Sequence, residues 1–117
     1  MTLEQAAKEL EMSLEEALDR VVNKKELLIR LLKVYVTGEY MEQAKQALEK
    51  EDYTAVETNV HTMKGSGASL GLMHMADACH QVVAAIRAGE YAEVAGLFVQ
   101  AEELYKKTQE VIMQIEA

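Results

Sequence analysis

Apolar residues recur at helical spacing along most of this sequence. Between residues 91 and 115 they fall mostly three or four positions apart, at Val94, Leu97, Ala101, Leu104, Val111 and Ile115. Similar stripes occur earlier, at Leu28, Leu31, Leu32 and Tyr35 and at Ala44, Ala47 and Leu48. This spacing is typical of a helix that buries one face. Because proline is also absent from all 117 residues and strong helix formers are abundant, we predict an all-α fold.

Start and stop signals divide this pattern into seven helices. Four signals mark helix starts: Thr2 with Gln5, Ser13 with Glu16, Asn23 with Glu26, and Asp52. Gly71 and Gly89 stand where helices would end. The predicted helices are 3–11, 14–22, 24–36, 39–50, 53–70, 73–88 and 91–115, with 24–50 as one bent helix as an alternative. Short connections predict an antiparallel four-helix bundle with short additional N-terminal helices, in a single domain over residues 1–117.

Charge and cysteine content limit the partners and the location. The formal net charge of −8 argues against nucleic acid or an anionic membrane surface as a partner, because both need a basic patch. The single cysteine, Cys79, cannot form an internal disulfide, and neither a signal peptide nor a long apolar run is present. We expect a monomeric cytoplasmic protein whose core includes Cys79, Met63, Met73 and Met75.

The segment "HTMKGSGASLG", residues 61–71, places three of the six glycines of the chain in or next to one predicted helix. The core stripe of that helix would consist of Val56, Val60, Met63, Gly67 and Leu70. His61 falls roughly 140° from the centre of the stripe and therefore points to solvent. Its neighbours one turn away are Glu57, Lys64, Gly65 and Ala68. An incidental surface histidine beside an incidental lysine is the alternative interpretation.

Gly65 and Gly67 need separate explanations, because each glycine inside a helix costs on the order of 1 kcal/mol relative to alanine. Gly67 lies on the core stripe, where a missing side chain lets a neighbouring helix approach. Gly65 lies on the exposed face, one turn beyond His61. A missing side chain at that position makes sense if another macromolecule presses against this face.

Phosphate loops and metal sites are poorly supported by the sequence. A nucleotide-binding glycine loop needs a β-strand before it, whereas the preceding "YTAVETNVHTM" has the character of a helix. His74 and His80 fall on different helix faces. The lone Asp77-Ala-Cys-His80 lacks the paired Glu-x-x-His motifs and further glutamates of a di-iron bundle. We predict that this chain binds no cofactor and no metal.

The arrangement His61-x-x-Lys64-Gly65-Ser66, followed by Leu70-Gly71, resembles the signature of histidine-containing phosphotransfer (HPt) domains. Segments 12–36, 47–66 and 70–94 also resemble the first bundle helix, the histidine helix and the following helix of that family. Gly67, Leu72 and Val83 depart from the family pattern. Val83 stands where the family often has Gln or Glu near the active histidine, so the group that orients the His61 ring is left open, with Gln81 and His80 as candidates.

The resemblance implies that His61 accepts a phosphoryl group from the aspartyl phosphate of a receiver domain and passes it to another receiver. An exposed imidazole is largely neutral at cytoplasmic pH, so a ring nitrogen is free to attack phosphorus. Lys64 would stabilise the phosphoryl charge. Glu57, Gly65 and Ala68 would lie on the docking surface. Local structural roles are expected for Ser66, Gly67 and Gly71.

The partners implied are response-regulator receiver domains and a sensor histidine kinase. The receiver would supply Mg²⁺, and this chain would be a phosphocarrier without ATP-dependent kinase activity of its own. Two alternatives remain open from the sequence. One is a helical-bundle interaction module that is not phosphorylated, and the other is the phosphotransfer domain of a chemotaxis-type histidine kinase.

Overall fold

The structure is a computed structural model that describes residues 1–116. Seven helices account for the secondary structure of these residues: α1 (Leu3–Glu9), α2 (Leu14–Arg20), α3 (Lys25–Thr37), α4 (Tyr40–Glu49), α5 (Tyr53–Ser69), α6 (Met73–Arg87) and α7 (Tyr91–Met113). No strand occurs among them. The predicted all-α fold is confirmed, and the helix bounds differ from the expected ones by one or two residues at most ends.

Helices α3 and α4 are separate, so the alternative of one bent helix over 24–50 is wrong. Gly38 ends α3 in an extended conformation, with φ −74° and ψ 175°. This change of backbone direction breaks the hydrogen-bond ladder before Tyr40 starts α4. The break at Gly38 also places the exposed ring of Tyr40 beside a surface groove described below.

One continuous apolar core joins the helices. Helices α4, α5, α6 and α7 pack on one another in chain order, and α3 packs on α7. Polar contacts fix the last pair: the Tyr105 hydroxyl donates to the Tyr35 carbonyl at 3.2 Å, and the Gln109 amide donates to the Val36 carbonyl at 2.7 Å. Lys33 on α3 donates to the carbonyl of Ile115, beyond the end of α7, at 2.8 Å. The earlier residue of α3, Lys33, meets the C-terminal side of α7, whereas the later residues Tyr35 and Val36 meet positions nearer its middle. Helices α3 and α7 are therefore antiparallel.

Two of the four predicted helix starts are capped as expected. Thr2 and Gln5 form a complete capping box, and the Asp52 carboxylate accepts from the Ala55 amide at 3.2 Å. Ser13 makes no side-chain cap; its backbone N–H instead donates to the Gly71 carbonyl at 2.9 Å. The Asn23 cap is also wrong, because Lys24 occupies the N-cap position of α3 and Asn23 has φ 57°.

The predicted core is largely confirmed, with two exceptions. Leu31 is 37% exposed and Met73 is 45% exposed, so neither belongs to the interior. Both lie at the edge of an apolar stripe, where the spacing alone does not decide which side chains a neighbour covers. The core also contains residues of α7 that the predicted stripe omitted, namely Phe98, Tyr105, Thr108 and Ile112.

Cys79 should react with a thiol reagent far more slowly in the folded protein than in the unfolded chain. Its side chain is fully buried, and burial raises its pKa to about 12. The reactive thiolate is therefore depleted by roughly a thousandfold at mildly alkaline pH. Labelling with an aromatic disulfide reagent in buffer and in denaturing urea measures the ratio of rates. Similar rates in the two solutions would contradict the packed position.

In the part of the chain that the structure describes, none of the helices is both long and apolar enough to cross a membrane.

Candidate functional site

Helix α5 carries the glycine-rich segment and is built by local signals in the sequence. Asp52 caps its start, and apolar or small side chains follow at alternating spacings of four and three residues. Those at Val56, Val60, Met63 and Gly67 are buried, against α4 on one side and α6 on the other. This regular stripe fixes the rotation of the helix. The positions of every other side chain on α5 follow from it.

His61 is exposed on the outer face of α5, as the helical register predicts. The side-chain hydrogen bonds of α5 and α6 involve Thr58, Asn59, Thr62, Gln81 and Arg87. Within residues 1–116 none of them reaches the His61 ring. An exposed ring nitrogen without a protein partner is accessible to an incoming group.

Lys64 lies one turn after His61 and is half-buried. Residues three apart on a helix are neighbours on its surface, so the ammonium can reach a group attached to His61. No carboxylate among the described residues lies within ion-pair distance of Lys64. Its charge is therefore not committed elsewhere in this part of the chain.

Gly65 lies on the same exposed face, one turn beyond His61. A Cβ atom added at this position would meet no neighbouring atom within 4 Å. Packing inside the protein therefore gives no reason for a glycine here. Glycine lowers the stability of the helix at this position, but it leaves an open surface beside the histidine.

Gly67 has the opposite environment, two residues further on. A Cβ atom here would lie 3.0 Å from the hydroxyl oxygen of Tyr35. That hydroxyl donates to the Met63 carbonyl at 3.0 Å. Burial raises the pKa of Tyr35 well above its usual value, so the hydroxyl remains a donor. The missing side chain at Gly67 thus leaves room for the end of the Tyr35 side chain, which reaches α5 from α3.

Glu57 lies one turn before His61 and forms an ion pair with a residue of the next helix. Its carboxylate accepts from Nε of Arg87, on α6, at 2.5 Å. Glu57 and Arg87 are 30 residues apart in the chain. Helical periodicity within one segment cannot predict such a pair, because it depends on how α5 and α6 are aligned. Arg87 is thus held beside Glu57, where its charge is paired with the carboxylate.

The C-terminal end of α5 is held by the N-terminal segment. Nη1 of Arg20 donates to the carbonyls of Ala68 and Ser69 at 3.2 and 2.9 Å. Gly71 has φ +80°, and the Leu72 amide donates to the Gly67 carbonyl at 2.8 Å. This is a Schellman ending, and it confirms the helix end predicted at Gly71. Ala68 itself is half-buried. These contacts tie α2 to the helix that carries His61.

Gln81 and His80, the two candidates for orienting the His61 ring, differ in environment from each other and from the nearby Val83 on α6. Val83 is 1% exposed and belongs to the core. Gln81 donates to the Asp77 carboxylate at 3.3 Å and lines a groove with Leu97 and Leu104 of α7, on the side of α6 turned toward α7. His80 is exposed.

An apolar groove of about 370 Å³ opens beside the histidine helix, between α3, α4 and α5. Ser66, which is exposed and directly follows Gly65, forms part of its edge. Leu31, Val34 and Tyr40 contribute exposed apolar surface to its walls. Helical spacing does not predict this groove, because it places Leu31 in the core.

Within residues 1–116, no group of three or more His, Cys, Asp or Glu side chains is arranged to hold a metal ion. His74 instead lies 3.7 Å from the Glu11 carboxylate at the surface.

Comparison with protein families finds a match to the family described as Hpt domain, over residues 36–111. The match covers the end of α3, all of α4 to α6 and most of α7. It includes the whole segment from His61 to Gly71. Residues 1–35 lie outside it, although the resemblance noted in the sequence extended back to residue 12. Searches of curated proteins and of solved structures gave no match.

Proposed function

We propose that this chain, which belongs to the Hpt domain family, carries a phosphoryl group on His61 within a two-component phosphorelay. Family membership supports a histidine phosphotransfer role in two-component signalling. One observation carries the choice of residue. His61 stands exposed on α5, with Lys64 one turn after it and the open surface of Gly65 beside it.

The transfer step needs little covalent machinery from this chain. A neutral ring nitrogen of His61, Nε2 by family analogy, would attack phosphorus of a receiver aspartyl phosphate. An N–P bond forms, the O–P bond breaks, and the aspartate leaves as a carboxylate. The reverse exchange with a second receiver returns the neutral imidazole. Phosphoryl transfer depends mainly on positioning and on neutralising charge, which an exposed imidazole beside a lysine can provide.

Lys64 would pair with the phosphoryl oxygens during transfer and in the phosphohistidine product. At an exposed position such a pair is weak, but it strengthens when a docked partner excludes water. Lys64 is half-buried, which limits the conformations of its side chain and so reduces the entropy lost when the ammonium meets the phosphate. The Mg²⁺ and its carboxylate ligands would belong to the receiver.

Gly65 would leave room for the loops of the receiver, with Glu57 and Ala68 on the same docking face. A specific protein interface buries roughly 800 Å² on each partner, which is more than the surface around one histidine. The docked receiver would therefore extend to neighbouring surface. The groove edged by Ser66 supplies exposed apolar area in that direction, and apolar area is what the centre of such interfaces contains.

The partners in this proposal are receiver domains on both sides of the relay and a sensor histidine kinase upstream. This chain would act as a monomeric cytoplasmic phosphocarrier and would not phosphorylate itself from ATP. Its acidic surface, with a formal net charge of −8, makes local cations at the His61 face important for holding a phosphoryl group.

Incubation with a receiver domain charged by labelled acetyl phosphate tests the proposal. We expect label to pass to this chain as acid-labile, base-stable phosphate, and to leave it when a second receiver is added. Labelled ATP alone should give no incorporation. Failure of every receiver from the same genome to transfer label would overturn the proposal. Stable binding of a receiver without transfer would favour the unphosphorylated interaction module.

A further inference from the structure

Arg87 and Glu57 form an ion pair at the edge of the surface that carries His61. Nε of Arg87 is 2.5 Å from Oε1 of Glu57, and the two side chains are 60% and 27% exposed. Glu57 precedes His61 by four residues, so the two residues are neighbours on the outer face of α5. Arg87 is thus anchored one turn from the histidine by a contact that is open to solvent.

The pair uses only part of the hydrogen-bonding capacity of the guanidinium. Arginine has five N–H donors in a planar fork. The contact with Glu57 involves Nε, and within residues 1–116 no other side-chain hydrogen bond or ion pair involves the two terminal nitrogens of Arg87. Those nitrogens have the geometry that binds phosphate oxygens in pairs.

Phosphorylation of His61 would place a group near Arg87 that is more negative than the Glu57 carboxylate. A phosphoryl group adds about −1.5 to −2 charges near neutral pH, whereas the Glu57 carboxylate carries one. Like charges four residues apart on a helix repel each other. A new dianion beside Glu57 is therefore unfavourable unless a nearby cation moves toward it, and Arg87 is the cation already anchored at that edge.

We propose that Arg87 is an exchangeable counterion, bound to Glu57 while His61 is unmodified and transferred to the phosphoryl group once His61 carries phosphate. The inference rests on the proposed function of His61. Glu57 then has a defined part: it holds Arg87 close to the histidine in the resting state and competes with the phosphoryl group for it. Lys64 supplies charge from one side of His61 and Arg87 from the other.

The exchange predicts opposite effects for the two members of the pair. Arg87→Gln should lower the equilibrium constant for phosphoryl transfer from a charged receiver to this chain by roughly three- to tenfold. Glu57→Gln should raise it by roughly two- to fivefold, because Arg87 no longer has a competing partner and a negative charge is removed. Arg87→Lys keeps the charge but loses the fork, so it should recover only part of the lost transfer.

The equilibrium constant for transfer is the quantity to measure. It depends only on the free energies of the receiver and of this chain, each with and without phosphate, and not on how fast the receiver docks. The probe is a receiver domain charged with acetyl phosphate that phosphorylates the wild-type chain. Arg30→Gln is the matched control, since it removes the same charge from an exposed arginine of α3. Equal shifts for Arg87→Gln and Arg30→Gln would overturn the exchange, because only net charge would then matter.

A second measurement does not depend on any receiver. Phosphoramidate phosphorylates exposed histidines directly, and the ¹⁵N-Nε resonance of Arg87 should move on this treatment in the wild type but not in His61→Gln. An unmoved resonance on phosphorylated His61 would overturn the exchange by itself. Absence of transfer from every receiver, with the Arg87 resonance still responding to phosphoramidate, would instead count against the proposed relay function and leave the exchange supported.

Discussion

Replacing His61 with glutamine should abolish uptake of phosphate from a charged receiver while leaving the fold intact. Glutamine has no ring nitrogen that can attack phosphorus, so the acceptor is lost rather than weakened. The His61 side chain is exposed, and the ring makes no side-chain hydrogen bond within residues 1–116. The free energy of unfolding should therefore change by less than about 0.5 kcal/mol. Label transfer and a urea titration measure the two quantities on the same preparation.

His74→Gln is the matched control for this experiment. His74, at the start of α6, is also exposed, with 61% of its side chain accessible, and it lies 3.7 Å from the Glu11 carboxylate. The His74→Gln variant keeps His61 and should therefore accept label at the wild-type level. Acid-labile phosphate on His61→Gln would show that the site is assigned to the wrong residue. A large loss of stability in His61→Gln would contradict the solvent-facing position of the ring.

The helices and the direction of His61 could be predicted because both depend on short-range information. The Asp52 cap, the stripe from Val56 to Gly67 and the glycine ending at Gly71 lie within one segment. Each acts over one or two turns, so the sequence alone determines the register of α5. Once that register is known, exposure of His61 and Gly65 follows from geometry.

The features that could not be predicted depend on contacts between segments far apart in the chain. The pairing of Glu57 with Arg87 requires the alignment of α5 with α6. The expected cap at Ser13 is replaced by a bond from its backbone to Gly71, which only the packed position of α2 explains. Leu31 was assigned to the core because it lies on the apolar side of α3. Its exposure depends on where α4 and α5 leave a groove.

The glycines at 65 and 67 should respond in opposite ways to the same substitution. Gly65→Gln should raise the free energy of unfolding by roughly 0.5–1 kcal/mol, because glutamine is a far better helix former than glycine and a Cβ at this position meets no neighbour. The same variant should slow phosphoryl transfer. A side chain that must be accommodated in a close-packed interface costs roughly 1–3 kcal/mol, which corresponds to about a 5- to 150-fold loss.

Gly67→Gln should instead destabilise the fold by roughly 3 kcal/mol, because its Cβ would press on the Tyr35 hydroxyl at 3.0 Å and its amide would be buried without a partner. Where that variant remains folded, transfer should stay close to the wild-type rate, since position 67 faces the core and not the receiver. Thermal unfolding and single-turnover transfer at a temperature below both transitions separate the two effects. If Gly65→Gln transferred phosphate at the wild-type rate, the close approach of a partner at Gly65 would be contradicted. The receiver would then dock as well on a helix with an added side chain as on the wild-type helix.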